Sequence, residues 1–171
     1  MRRILVASLL FLGACGSGSP GEWTTEAPTF NLAGETANPV PVDRVLPDGL
    51  YWATAHEVLD SDDIVFQVMK ARFGATCESW ARENGMDHGC PDDYMVDDNG
   101  AQMVVAREPG RVTVAKPDGP GTSYRIKYST LVKFVRNEQV DHPAGYQWVD
   151  FPFILTVRGG KVRDIDQYWT P

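Results

Sequence analysis

Phe151-Pro152-Phe153-Ile154-Leu155-Thr156-Val157-Arg158-Gly159-Gly160-Lys161-Val162-Arg163-Asp164-Ile165-Asp166-Gln167-Tyr168-Trp169 closes the chain. Two arms rich in β-branched and aromatic residues flank a Gly-Gly pair, the signature of a hairpin with a two-residue turn. Its second arm holds an anomaly. Val162 and Ile165 are three apart and would face opposite sides of a regular strand, so a bulge near Arg163-Asp164 is expected.

The same grammar recurs upstream. Pro47-Asp48-Gly49 marks a turn, Leu50 to Leu59 reads as a strand, Asp60-Ser61-Asp62-Asp63 as a polar turn and Ile64 to Phe73 as the returning strand, with Ile64, Phe66 and Val68 on one face. The period changes after Gly74. Ala75 to Asn84 reads as a helix with Thr76 to cap its start, Glu78 and Arg82 as an i,i+4 pair and Asn84-Gly85 as a left-handed end. Tyr94 to Val96 and Gln102 to Ala106 read as short strands around an Asn99-Gly100 turn. Arg111 to Ala115 and Ser123 to Tyr128 add two more, and Thr130 to Asn137 fits a helical stripe slightly better than a strand. The helices needed between parallel strands are missing. The predicted fold is therefore mainly β: an antiparallel, strongly curled or partly closed barrel-like sheet of about six to seven strands, with one or two short helices.

Before this domain the composition differs. Met1-Arg2-Arg3, an apolar run from Ile4 to Leu12 and then Gly13-Ala14-Cys15 form a charged, apolar and small-residue series too short to span a bilayer. This resembles the lipobox of bacterial lipoproteins, which implies cleavage before Cys15 and lipidation of its thiol. The expected division is a signal peptide over 1–14, lipidated Cys15 and a flexible Pro/Gly/Ser tether over 15–43, and one β-rich domain over 44–171. The tether would span roughly 30 Å by flexible-chain scaling. Phe30, Leu32 and Val40 leave open that part of it docks on the domain.

A second resemblance covers much of 46–171. Phe73-Gly74-Ala75, Ala81-Arg82-Glu83-Asn84-Gly85, Pro91-Asp92-Asp93-Tyr94-Met95-Val96 and Pro152 to Val162, with Ile165, Gln167 and Pro171, are similar to a group of small exported lipoproteins of high-GC Gram-positive bacteria. That group is uncharacterised, so the resemblance implies export and a lipid anchor but no catalytic residue. The expected location is the outer face of the cell membrane, or the outer membrane if the source is Gram-negative.

Three cysteines fit this address. Lipidating Cys15 leaves Cys77 and Cys90 for a disulfide, in a compartment where such bonds persist; a nucleophile or a metal ligand is the competing role. The formal charge of −7 would fall to −9 without Arg2 and Arg3, which disfavours nucleic acid and makes acyl chains, not a basic patch, the membrane anchor. Charge is uneven: residues 48–98 carry twelve acids against Lys70, Arg72 and Arg82, whereas residues 99–171 carry seven acids against ten bases.

The chemistry-bearing residues are unspecific. Asp92, Asp93, Asp97 and Asp98 offer oxygen ligands for calcium, yet no EF-hand spacing is present, and turn roles explain them without an ion. His56, His88 and His142 lie in no nucleophile or zinc motif, so catalysis is not expected and no cofactor is implied. Tyr146 and Trp148, two apart, and Trp169 are candidates for stacking on wall sugars or on a protein, or else are core. The expected function is a lipid-anchored, non-catalytic binding or accessory module with an unknown protein or cell-wall partner. A small envelope hydrolase and a calcium- or glycan-binding domain are the alternatives.

Overall fold

The computed structural model describes residues 23–28, 30, 32, 34–40, 45–117 and 121–170. The expected signal peptide over 1–14 and Cys15 lie outside these residues. Eight strands form one sheet: β1 (Thr24–Glu26), β2 (Gly49–Val58), β3 (Ile64–Phe73), β4 (Tyr94–Ala106), β5 (Arg111–Ala115), β6 (Ser123–Arg125), β7 (Phe153–Arg158) and β8 (Lys161–Gln167). Their order across the sheet is β1-β6-β5-β8-β7-β2-β3-β4. Two helices, α1 (Gly74–Glu83) and α2 (Tyr128–Val135), complete the fold.

The closing hairpin forms as its sequence predicts. Gly159 and Gly160 take φ of 60° and 69°, the left-handed values that a tight hairpin turn requires. Thr156 pairs with Asp164 and Val157 with Val162, which leaves Arg163 as the bulged residue. The bulge turns both Val162 and Ile165 into the core. β2 and β3 form the other expected hairpin.

Three expectations about the sheet are corrected. It has eight strands rather than six or seven, it stays open with β1 and β4 at its edges, and it is mixed, because β5 and β8 run parallel. The parallel pair follows from α2, the ambiguous 130–137 stretch. Once that stretch is helical, it carries the chain across one face so that β7 and β8 return beside β5. Asn99-Gly100 also behaves differently. Both halves of β4 pair with β3, Lys70 with Asp97 and Val68 with Gln102, so residues 98–101 bulge opposite Met69 instead of reversing the chain.

Both faces of the central strands are buried. Tyr51, Ala53, Phe66, Val68, Phe153, Leu155 and Val157 point to the face covered by α2. Trp52, Met69, Ala71, Phe73 and Ile154 point to the other. The second face is closed by Tyr94, Tyr168, Phe30 and Leu32, with Trp52 ringed by Phe73, Tyr94 and Tyr168 at centroid distances of 5.0–5.8 Å.

Phe30 and Leu32 belong to the stretch read as tether, and the described part of that stretch is docked. β2 and β3 pair only from Trp52 and Met69 onward; where they splay, residues 34–37 fill the gap. Thr36 N donates to Ala71 O, Thr36 Oγ1 accepts from Ala71 N, Phe73 N donates to Gly34 O and Ala37 N donates to Leu50 O. These bonds satisfy strand groups that would otherwise be buried unpaired. Further upstream, β1 adds to β6, and Trp23 packs against Tyr124, Phe134 and Tyr146 while its Nε1 donates to Asp141 O.

α1 follows β3 through Gly74 at φ 49°. Thr76 does not cap it; the N-cap is Phe73, without a side-chain bond. Its far end is the expected left-handed one, with Gly85 at φ 71°, Met86 N donating to Ala81 O and Gly85 N to Arg82 O. Glu78 accepts from Cys90 N instead of pairing with Arg82. Cys77 and Cys90 stand at disulfide distance, with Cα atoms 5.6 Å apart. Closing this loop contributes roughly 3 kcal/mol in the chain-entropy picture.

If 23–40 were a free tether, Trp23→Ala would leave stability unchanged. The docked structure instead predicts a loss of about 2 kcal/mol in urea denaturation, because the half-buried indole leaves a gap between three rings.

Candidate functional site

The structure separates the residues that the sequence brings together. Tyr146 is 6% exposed and belongs to the core. Burial pushes its hydroxyl pKa far up, and that hydroxyl has no hydrogen-bond partner. Trp148 stacks on Phe134 with ring centroids 4.5 Å apart and planes 4° from parallel. Residues 139–152 form no strand, so the two-apart spacing of Tyr146 and Trp148 does not create an exposed aromatic row. Trp169 is half-buried, next to Phe151.

The carboxylates do not converge either. Asp92 and Asp93 sit in a short turn after Pro91, both with left-handed backbone, φ 53° and 60°. Asp97 lies on β4, where its Oδ1 accepts from the Asn99 backbone and side chain and its Oδ2 lies 3.6 Å from Arg72. Asp98 is exposed in the bulge. Among the described residues no group of three or more His, Cys, Asp or Glu side chains is placed to hold a metal ion.

His56, His88 and His142 are all exposed. The buried carboxylate among the described residues is Asp166, 1% exposed, and its partners are not those of a hydrolase. Its Oδ1 accepts from Arg111 Nη1 and from Thr113 Oγ1, the latter at 2.6 Å, while Oδ2 has no hydrogen-bond partner. Burial raises the Asp166 pKa; the bonds from Thr113 and Arg111 oppose the shift without cancelling it. Arg111 also donates to Glu26 Oε1 at 2.8 Å and to Ala27 O, so this cluster ties the N-terminal strand to β8. Its role is to hold the sheet together.

Two clefts remain. The smaller, of about 600 Å³, brings Trp169 and Tyr168 together with Phe30, Asp92 and Asp93. The larger, of about 1110 Å³, runs along β4. Four successive β4 residues, Gln102 to Val105, line it, although side chains on a strand alternate between faces; the cleft therefore meets β4 edge-on. Its opposite wall is α2, through Val132, Lys133 and Arg136, together with Lys161 and Arg163 at the end of the β7–β8 hairpin. One end is closed by Asp62 and Asp63, which pair with Arg136 at 2.7 Å and Arg107 at 3.1 Å. Tyr128 fastens the β3–β4 end there, accepting from Ile64 N and donating to Ala106 O.

This cleft is not legible in the sequence: nothing local in Gln102 to Ala106, a strand by its residues, marks it as the strand that ends the sheet. Comparisons with protein-family models, curated proteins and solved structures gave no match.

The ion cluster yields a pH signature. Arg111→Met removes the cation beside Asp166 and is expected to cost about 3 kcal/mol at pH 7. With its folded pKa raised further, Asp166 binds a proton more tightly folded than unfolded. The lost stability therefore returns as pH falls through the folded value toward the ordinary ~3.9 of an unfolded aspartate. Urea titrations at pH 7 and pH 5 are expected to show the larger deficit at pH 7.

Proposed function

We propose that this chain is an exported protein, anchored through lipidated Cys15 to the outer face of the cell membrane, and that its domain is a non-catalytic binding or accessory module. The leader from Met1 to Cys15 supports the anchor. With Trp23 docked on the domain, only residues 16–22 separate it from Cys15, a leash whose contour is at most ~28 Å. That is shorter than the expected tether and keeps the domain close to the lipid.

The observation that supports binding best is the long cleft against a free sheet edge. Clefts of this size are the usual place for a ligand. A second reading, glycan binding, rests on the smaller cleft, where Trp169, Tyr168 and Phe30 give ring faces beside the hydroxyls of Thr122 and Ser123.

Fractionation of the source cells tests the anchor: Cys15→Ser is expected to move the protein out of the membrane fraction. In the lipidated chain, a photo-crosslinking residue at Met103 is expected to capture one defined protein that a probe at exposed Asp60 does not. Capture of wall glycan from position 169 alone would favour the second reading.

A further inference from the structure

We propose that the free edge of β4 takes up an extended, acidic peptide segment of a partner protein as a ninth strand of the sheet. The inference rests on the binding-module reading and names its ligand class.

Among the described residues β4 pairs with β3 on one side only, so alternate N–H and C=O groups along its other side face the cleft. Exposed edges in natural sheets are blunted by charges, prolines or bulges. The stretch Ala101-Gln102-Met103-Val104-Val105-Ala106 has neither a charge nor a proline, and the β4 bulge ends at residue 101. Met103 and Val105 are 40% and 41% exposed. An unprotected apolar edge of this kind is built to be paired.

The walls decide what pairs with it. Five strand residues, 102–106, extend over about 17 Å. The cleft, of about 1110 Å³, is lined along β4 by Gln102 to Val105 and has room for a short extended segment.

Charge gives the peptide its sign. Arg107 and Arg136 are already matched by Asp63 and Asp62. Lys133, Lys161 and Arg163 on the wall facing β4 make no ion pair with described residues, and against these three cations the lining sets two acids, Glu108 and Glu138, that make none either. Carboxylates on an added strand would meet those three cations across the channel. Gln102 adds an independent mark: it is 5% exposed, it lines the cleft and its Oε1 has no donor. A main-chain N–H or a hydroxyl of the occupant would supply one. Strand addition with side-chain pockets along the edge is an established physical mode of peptide recognition.

The test uses the full-length lipidated chain in nanodiscs and a displayed library of random twelve-residue peptides as the probe. Enriched peptides are expected to alternate apolar and acidic residues. On binding, they should slow hydrogen exchange at alternate amides of 102–106 by at least tenfold. The double substitution Lys161→Glu with Arg163→Glu, two exposed sites where the fold is checked by circular dichroism, is expected to weaken binding at least tenfold. The proposal is overturned if no peptide is enriched, if enriched peptides bind without protecting β4, or if basic peptides are preferred. It also fails if the chain doubles in mass through β4 without peptide. Membrane release by Cys15→Ser and capture from Met103 are read separately, so their success alongside a failed selection would remove strand addition alone.

Discussion

A sheet that buries side chains on both faces must be covered twice, and the rest of this structure follows from that demand. Successive residues of β7 show it: Phe153 and Leu155 enter one core, and Ile154 between them enters the other. Antiparallel sheets commonly leave one face to water, as a clean alternation of apolar and polar residues permits. Here Trp52, Met69, Ala71, Phe73 and Ile154 interrupt that alternation and create a second apolar surface. α2 covers the first face. The second is covered by Tyr94, Tyr168 and the stretch around Phe30 and Leu32, pieces drawn from three distant parts of the chain.

Covering the second face recruits the N-terminal segment, and hydrogen bonding fixes it there. The splayed ends of β2 and β3 offer unpaired groups at Leu50, Ala71 and Phe73, and residues 34–37 supply the partners. An ion cluster repeats the attachment at the far edge, where Arg111 joins Glu26 to buried Asp166. A buried carboxylate with one unpartnered oxygen is costly by itself, and the guanidinium and the Thr113 hydroxyl offset much of that cost. Function is coupled to this packing, because the docked segment shortens the leash and sets how far the domain stands from its proposed anchor.

Recruitment at one edge leaves the other open. β1 extends the sheet beyond β6, whereas among the described residues β4 has no neighbour beyond β3. α2, placed on the first face to cover Tyr51, Phe66 and Phe153, stands opposite β4 and makes the open edge one side of a cleft. The geometry proposed for ligand binding is thus a consequence of how the first core is closed.

By itself, the sequence determined the local elements: the Gly159-Gly160 hairpin, the bulge that brings Val162 and Ile165 to one side, the β2–β3 hairpin and the left-handed end of α1. These depend on side-chain period, on glycine's access to positive φ and on short chain separations, all of which are written locally. Tertiary structure decided the rest. Asn99-Gly100 became a bulge because both halves of β4 found the same partner strand. Tyr146 became core because Trp23, Tyr124 and Phe134 surround it, and Trp148 is half-buried against Phe134. The described residues of 23–40 became part of the domain because both apolar faces take cover from them, Trp23, Ala37 and Val40 on the first and Phe30 and Leu32 on the second, and β4 became an edge because no other described strand reached it. Each of these outcomes depends on contacts between residues far apart in the chain, whose energies no local pattern records.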